Sequence, residues 1–204
     1  MISKLRAGFG RLFTPLAKTL LRMGLSPDAV TVAGTVGVMA SALILFPTGH
    51  LLAGALVCWF FAMSDAIDGL MARLSGRQGP WGAFLDSTLD RFADGAIFAG
   101  LVVWLARGGQ DEVGAVLALV CLVLGAIVPY ARARAEGIGM TANVGIAERG
   151  DRLVVALTAA GVVGIGAPGV VLTVALGLLA VASLVTVVQR IIVVRRQLVR
   201  AGQA

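Results

Sequence analysis

The chain has 204 residues, 58% of them apolar and only 14% charged, with a mean hydropathy of +0.94. A soluble domain carries roughly a quarter charged residues, so this balance excludes an ordinary soluble globular protein. The net charge of +6 would suggest nucleic acid in a soluble chain, but here the cations flank apolar runs; they reflect topology, and no nucleic-acid partner is expected.

The first 23 residues lack the compact apolar core and small-residue cleavage site of a signal peptide. Ile2, Leu5, Phe9, Leu12, Leu16 and Leu20 recur at helical spacing, opposite Lys4, Arg11, Lys18 and Arg22. This pattern predicts an amphipathic helix in the membrane interface, the alternative being a helix packed on protein. Six apolar runs follow, at Ala29–Phe46, Leu51–Arg73, Gly82–Ala106, Val113–Arg134, Arg152–Ile165 and Val170–Val194. A bilayer crossing takes about 20 helical residues, and only helices satisfy their backbone within one segment. The fifth run is short and either crosses incompletely or begins in the preceding polar segment. The expected fold class is therefore all-α. It is a polytopic membrane protein with six transmembrane helices and an N-terminal amphipathic interfacial helix. A single membrane domain covers 1–204, with the interfacial helix at 1–23 and the six-helix bundle at 28–196.

Arginine and lysine sort by side. Lys4, Arg6, Arg11, Lys18 and Arg22 precede the first span, and Arg73 and Arg77 follow the second. Arg132, Arg134, Arg149 and Arg152 lie between the fourth and fifth, and Arg190, Arg195, Arg196 and Arg200 end the chain. The opposite side offers only Arg107, beside Asp111 and Glu112. Both termini and the polar chemistry are expected in the cytoplasm, on a multi-pass protein of the cell (plasma) membrane. Cys58 and Cys121 fall within spans and read as small packing residues.

Five of the eleven acids lie between Asp65 and Asp94, at or near the ends of two apolar helices. Carboxylates are costly there unless paired, wetted or metal-bound, which makes them functional candidates. Asp65 and Asp68 share one face of the second span, and Asp86 and Asp90 share one face of the third. The short connection predicts antiparallel neighbours whose acidic faces converge. Four carboxylates around one point suit a hard divalent cation, Mg²⁺ by default and Mn²⁺ as the alternative. Gly69 allows close approach to the helix backbone, and Arg73, one turn on, can grip a phosphate oxygen. Gly82 precedes Asp86 by one turn. Metal, open backbone and cation together are what phosphoryl transfer requires. A divalent-cation transporter using the same acids is the non-enzyme alternative, but it explains neither Gly69 nor Arg73. Asp94 continues the face beyond these residues and reads as a pairing residue rather than a ligand.

Asp65-x-x-Asp68-Gly69-x-x-Ala72-Arg73, followed by Gly82-x-x-x-Asp86-x-x-x-Asp90, resembles the full signature of the CDP-alcohol phosphotransferase family. The resemblance implies two metal ions, one on Asp65, Asp68 and Asp86 and the other on Asp65, Asp86 and Asp90. Asp90 would also be the base that deprotonates the attacking hydroxyl. It further implies that Gly69 and Arg73, with Gly82, meet the cytidine diphosphate of CDP-diacylglycerol. Pro27-Asp28-Ala29-Val30-Thr31 is similar to the family's Pro-Asn-x-x-Thr element, which meets the nucleotide too. Asp28 replaces the Asn and loses its amide donor; capping the first span is an equally good reading of this residue. A homodimer is implied by the resemblance alone.

The acceptor alcohol is read from a second group. Arg132, Arg152 and Arg190 come from three different helices and would converge on a dianionic phosphate. Arg134 and Arg149 read as flanking charge, or as partners of Glu136 and Glu148. Tyr130-Ala131-Arg132-Ala133-Arg134-Ala135-Glu136 and Glu148-Arg149-x-Asp151-Arg152-Leu153 are similar to the actinobacterial branch of the family whose acceptor is inositol phosphate. The branch using glycerol 3-phosphate is the alternative.

Overall fold

The structure, a computed structural model, describes residues 13–202. Most of the expected interfacial helix, residues 1–12, lies outside the described residues. Its remainder, 13–22, is helical and is called α1, with Ala17 fully buried. The chain continues as α2 (Pro27–Leu45), α3 (Leu51–Ala62), α4 (Ser64–Leu74), α5 (Pro80–Arg107), α6 (Glu112–Gly137), α7 (Arg149–Gly164) and α8 (Val170–Arg200). No strand occurs among the described residues.

Helix boundaries follow local chemistry. Ser26 caps α2 by accepting the Ala29 N–H at 3.1 Å, with Pro27 in the first turn, where its missing N–H costs nothing. Asp28 is therefore not the cap. Asp111 caps α6 by accepting the Gly114 N–H at 2.8 Å. Gly79, in extended conformation, hands the chain to Pro80 at the start of α5.

Among the described residues, four helical stretches are long and apolar enough to cross a membrane: Pro27–Leu45, Leu51–Leu74, Glu112–Gly137 and Val170–Arg200. The chain is a membrane protein. Two of the six expected spans do not meet that standard, for separate reasons. Helix α5 has 28 residues, but Asp86, Asp90, Arg91 and Asp94 interrupt it from its second turn to its middle. Helix α7 has 16 residues, about 24 Å at 1.5 Å per residue and short of a hydrocarbon core about 30 Å thick.

The main packing partners close a ring, in the order α2, α5, α6, α8, α7, α3 and back to α2. Inside it lie Phe46, Cys58, Ile97, Phe98, Leu101, Cys121, Leu157, Leu172 and Leu176. Val36, Leu56, Phe60, Val116, Leu178 and Val181 are exposed on its outer surface, as expected where lipid rather than water is the solvent. The expected pairing of the second and third spans is corrected here. Helix α5 packs on α2 and α6, and α4 packs chiefly on α2, so α2 stands as a wedge between the two acidic helices. The gap this leaves between α4 and α5 becomes a cavity.

Small residues allow α2 to fill that place. A Cβ at Gly34 would sit 1.8 Å from Ser64 Oγ and 2.7 Å from Ser64 Cβ, and one at Gly37 would meet the Phe61 ring at 2.4 Å. A Cβ at Gly100 of α5 would sit 2.3 Å from the Ala42 carbonyl oxygen. Ser64 begins α4 immediately before Asp65, so the Gly34 contact sets where that acid stands. Gly34→Ala is expected to destabilise the protein by about 1–3 kcal/mol through overpacking and to weaken divalent-ion binding. Gly177→Ala, whose nearest new neighbour lies 3.6 Å away, should be tolerated. Thermal unfolding in detergent, with and without Mn²⁺, checks both.

Candidate functional site

Asp65, Asp68 and Asp86 each offer a carboxylate oxygen, and the three oxygens lie within 4.8 Å of one another. Asp65 and Asp68 come from one face of α4, and Asp86 from the first turns of α5. Asp68 is buried and accepts the Thr31 hydroxyl of α2 at 2.6 Å, so the wedge helix fixes the deepest acid. Three hard oxygens, gathered without a cation shared among all three, fit a divalent metal ion.

A cavity of about 320 Å³ opens from this triad between α2, α4 and the start of α5. Asp28, Thr31, Gly69, Ala72, Arg73, Gly82 and Asp86 are among the residues lining it. The Arg73 guanidinium folds back over Gly69, whose missing Cβ would lie 3.8 Å from its Nη1. Asp28 accepts the Trp81 indole N–H at 3.0 Å, tying α2 to the first turn of α5. Beside this tie an apolar groove of about 780 Å³ is lined by Ala29, Val32, Val36, Phe61, Trp81 and Leu85. Val30 is not among the residues lining the cavity or the groove.

Asp90 lies one turn beyond Asp86 and outside the compact triad. Its carboxylate pairs with Arg149 at 2.8 Å and with Arg91 at 3.6 Å. Arg149 also reaches Asp65 at 2.7 Å and Asp94 at 3.1 Å. The expectation that Arg149 is flanking charge or a partner of Glu136 or Glu148 is thus corrected: it joins three acids from two other helices. Asp94 is buried and bonds Arg152 at 3.4 Å as well, the pairing role its place on α5 suggests.

Arg132, Arg152 and Arg190 meet at a second cavity, of about 140 Å³, together with Arg91, Glu148 and Arg149. Arg152 is 1% exposed, and its Nε has no hydrogen-bond partner. Arg190 donates to the Val144 carbonyl at 2.9 Å and to that of Val128. Arg132 is half exposed and pairs with Glu136 at 3.0 Å. The local frame is tied to α8, where Thr186 Oγ1 accepts the Ile146 and Ala147 N–H groups, each at 3.1 Å. These bonds hold the segment that delivers Arg149 and Arg152. Pro129 within α6 cannot donate to Gly125, and Arg91 donates to that carbonyl at 3.4 Å.

Sequence reasoning passed over Arg91 and undervalued Arg149. Both carried a signal: Arg91 sits directly between Asp90 and Asp94 in an otherwise apolar helix, where an unpaired cation is expensive. Arg149 is one turn before Arg152 on the same helix.

This arrangement defines a helical membrane protein with a carboxylate site for divalent metal between a polar cavity and an arginine-lined one. A family model described as CDP-alcohol phosphatidyltransferase matches residues 24–194, and the chain belongs to that family, whose members are transferases. The cation-transporter alternative is set aside by that membership. A phosphatidylinositol phosphate synthase of Streptomyces avermitilis is 49% identical over 98% of this chain and 84% of its own length. One of Mycobacterium tuberculosis is 47% identical over 91% of this chain and 87% of its own. The crystal structure of a Mycobacterium tuberculosis phosphatidylinositol phosphate synthase with CDP-DAG bound superposes with a TM-score of 0.87 at 46% identity, covering 90% of this chain and 94% of that one. Its complex with manganese and citrate gives a TM-score of 0.86 over 89% and 88% of the two chains, again at 46% identity.

Thr31→Val should leave the buried Asp68 carboxylate without its hydroxyl donor. A loss of about 1–3 kcal/mol in the metal-free protein is expected, with much of it recovered on adding Mn²⁺. Unfolding curves in detergent at graded Mn²⁺ measure both effects.

Proposed function

We propose that the chain transfers the phosphatidyl group of CDP-diacylglycerol to inositol phosphate, releasing CMP and forming phosphatidylinositol phosphate. The observation that carries this reading is the arginine cavity next to the acidic triad, with the buried Arg152 Nε unpaired. The names of the similar proteins and the CDP-DAG in the solved relative support it.

In this reading the donor's diphosphate occupies the cavity of Gly69, Arg73 and Gly82, with Asp28 and Thr31 at its α2 edge and Ala29 and Val30 continuing that segment. Its acyl chains lie along the neighbouring apolar groove. Two ions, Mg²⁺ by default and Mn²⁺ as the alternative, would be held by Asp65, Asp68 and Asp86 and by Asp65, Asp86 and Asp90. When bound they supply neutralising charge for the diphosphate and the transferred phosphoryl group. Arg132, Arg152 and Arg190 hold the acceptor's phosphate. Asp90 takes the proton of the acceptor hydroxyl, the oxygen attacks the β-phosphorus, and the bond to CMP breaks. The manganese bound in the solved relative supports a divalent ion here.

The same reading places all of 1–204 in one domain of six spans. The shorter α7 and the acid-bearing α5 cross beside the four apolar stretches, and residues 1–23 lie in the interface. The termini and the site face the cytoplasm of the plasma membrane, and the enzyme is a homodimer.

Two measurements test the chemistry. Asp90→Asn should lower turnover by about 10²–10⁴-fold while CDP-diacylglycerol still binds in the presence of Mg²⁺; activity within a few-fold of wild type would refute the base. A panel of acceptors tests the second cavity: inositol phosphate should react and free inositol should not, since only a phosphate would meet the buried, unpaired Arg152 Nε and the positive charge beside it. Arg152→Gln should raise the acceptor KM with little change in the donor KM, and Arg196→Gln should alter neither. Preference for glycerol 3-phosphate would keep the anion cavity and change the acceptor.

A further inference from the structure

Arg149 belongs to neither ligand set assigned above, yet it makes the shortest ion pairs at the site. Its Nη1 lies 2.7 Å from Asp65 Oδ2 and 2.8 Å from Asp90 Oδ1, and its Nε lies 3.1 Å from Asp94 Oδ1. A single nitrogen thus stands between the two carboxylates that a second ion would bridge together with Asp86. Of the triad of Asp65, Asp68 and Asp86 for the first ion, only Asp65 pairs with Arg149. Arg149 also lines the arginine cavity beside Arg152 and Arg190. Carboxylates adjoin it on one side, and a space built for an anion adjoins it on the other.

A hard divalent ion draws its oxygens to about 2.1 Å, and a guanidinium nitrogen cannot share that space or its charge. Displaced from Asp65 and Asp90, Arg149 keeps only Asp94 through its Nε, and a phosphate can take the freed side of its planar fork. We propose that Arg149 is a positioning residue that competes with the second cation for Asp65 and Asp90. It exchanges Asp65 and Asp90 for the acceptor's phosphate as that ion binds. The inference rests on the two-ion reading above. It makes the second ion and the acceptor mutually dependent, each raising the affinity of the other by the same factor. It also keeps Asp90 engaged until an acceptor is present. A guanidinium that never leaves its three carboxylates would produce no such linkage.

The test is Mn²⁺ binding to the purified full-length protein in detergent, counted by the EPR signal of free Mn²⁺, with and without saturating inositol phosphate. Wild type should bind one Mn²⁺ and then a weaker second, which inositol phosphate tightens by about 5- to 150-fold, the usual span of such coupling. In Arg149→Gln the second Mn²⁺ should tighten by a comparable factor without inositol phosphate, which then adds little. Arg149→Lys keeps the charge but loses the fork, so its second site should fall between the two. It decides the matter if gel filtration shows Arg149→Gln unfolded: a second site tighter than in wild type supports the exchange, and an equal or weaker one overturns it. An inositol phosphate effect of the same size in wild type and Arg149→Gln also overturns it. A wild-type limit of one Mn²⁺ at saturating inositol phosphate removes the two-ion reading and the inference together. Two ions with no tightening in Arg149→Gln remove the inference alone.

Discussion

Five carboxylates on two otherwise apolar helices repel one another, and the low dielectric around them magnifies that repulsion. Much of the fold answers this constraint. Helix α2 holds the acid-bearing helices apart far enough for a cavity, yet near enough for three carboxylates to approach one point. Its Thr31 hydroxyl compensates the most deeply placed of them, and arginines from α5 and α7 balance those further along α5. The wedge depends in turn on Gly34 and Gly37, since any side chain there would push α3 and α4 away. The metal site and the helix packing are therefore one problem with one solution.

Two spaces of opposite character flank the acids. On the α2 side lies the cavity of Gly69 and Arg73, continued by an apolar groove; on the α6–α8 side lies a small chamber rich in arginine. Asp65 belongs to the triad of one side and, through Arg149, to the charge network of the other. A transfer between a lipid-borne donor and an anionic acceptor needs such a meeting point, because the reacting atoms have to approach while their charges stay separated.

Much of this was legible in the sequence. The acid spacing predicted four converging carboxylates, of which Asp65, Asp68 and Asp86 meet and Asp90 stands apart, and the basic loops supplied three arginines that do share a cavity. Neighbour relations between helices were not legible. A short connection between two spans suggests direct packing, but here the chain splays and a third helix fills the space, a choice made by glycines on α2 that hydropathy does not register. Pairing of charges was hidden for a related reason. Glu148 is next to Arg149 in the chain, yet the start of α7, held by the Glu148 N–H donating to Asp151 at 3.0 Å, turns the arginine toward acids more than fifty residues away. The Asp28 capping role was lost to Ser26, whose own signal stood two residues earlier.

The apolar groove beside Trp81 is bordered by Val32 and Val36, which are exposed on the outer face of the bundle. A donor that reaches the acids along such a groove never passes through bulk water, so its supply is set by its mole fraction in the leaflet rather than by its total concentration. Diluting it with inert lipid or detergent at constant total amount would slow the encounter, as expected of search in two dimensions. The enzyme's effective saturation is then a property of membrane composition, and a cell could alter flux through this step by changing its lipid mixture without changing the protein at all.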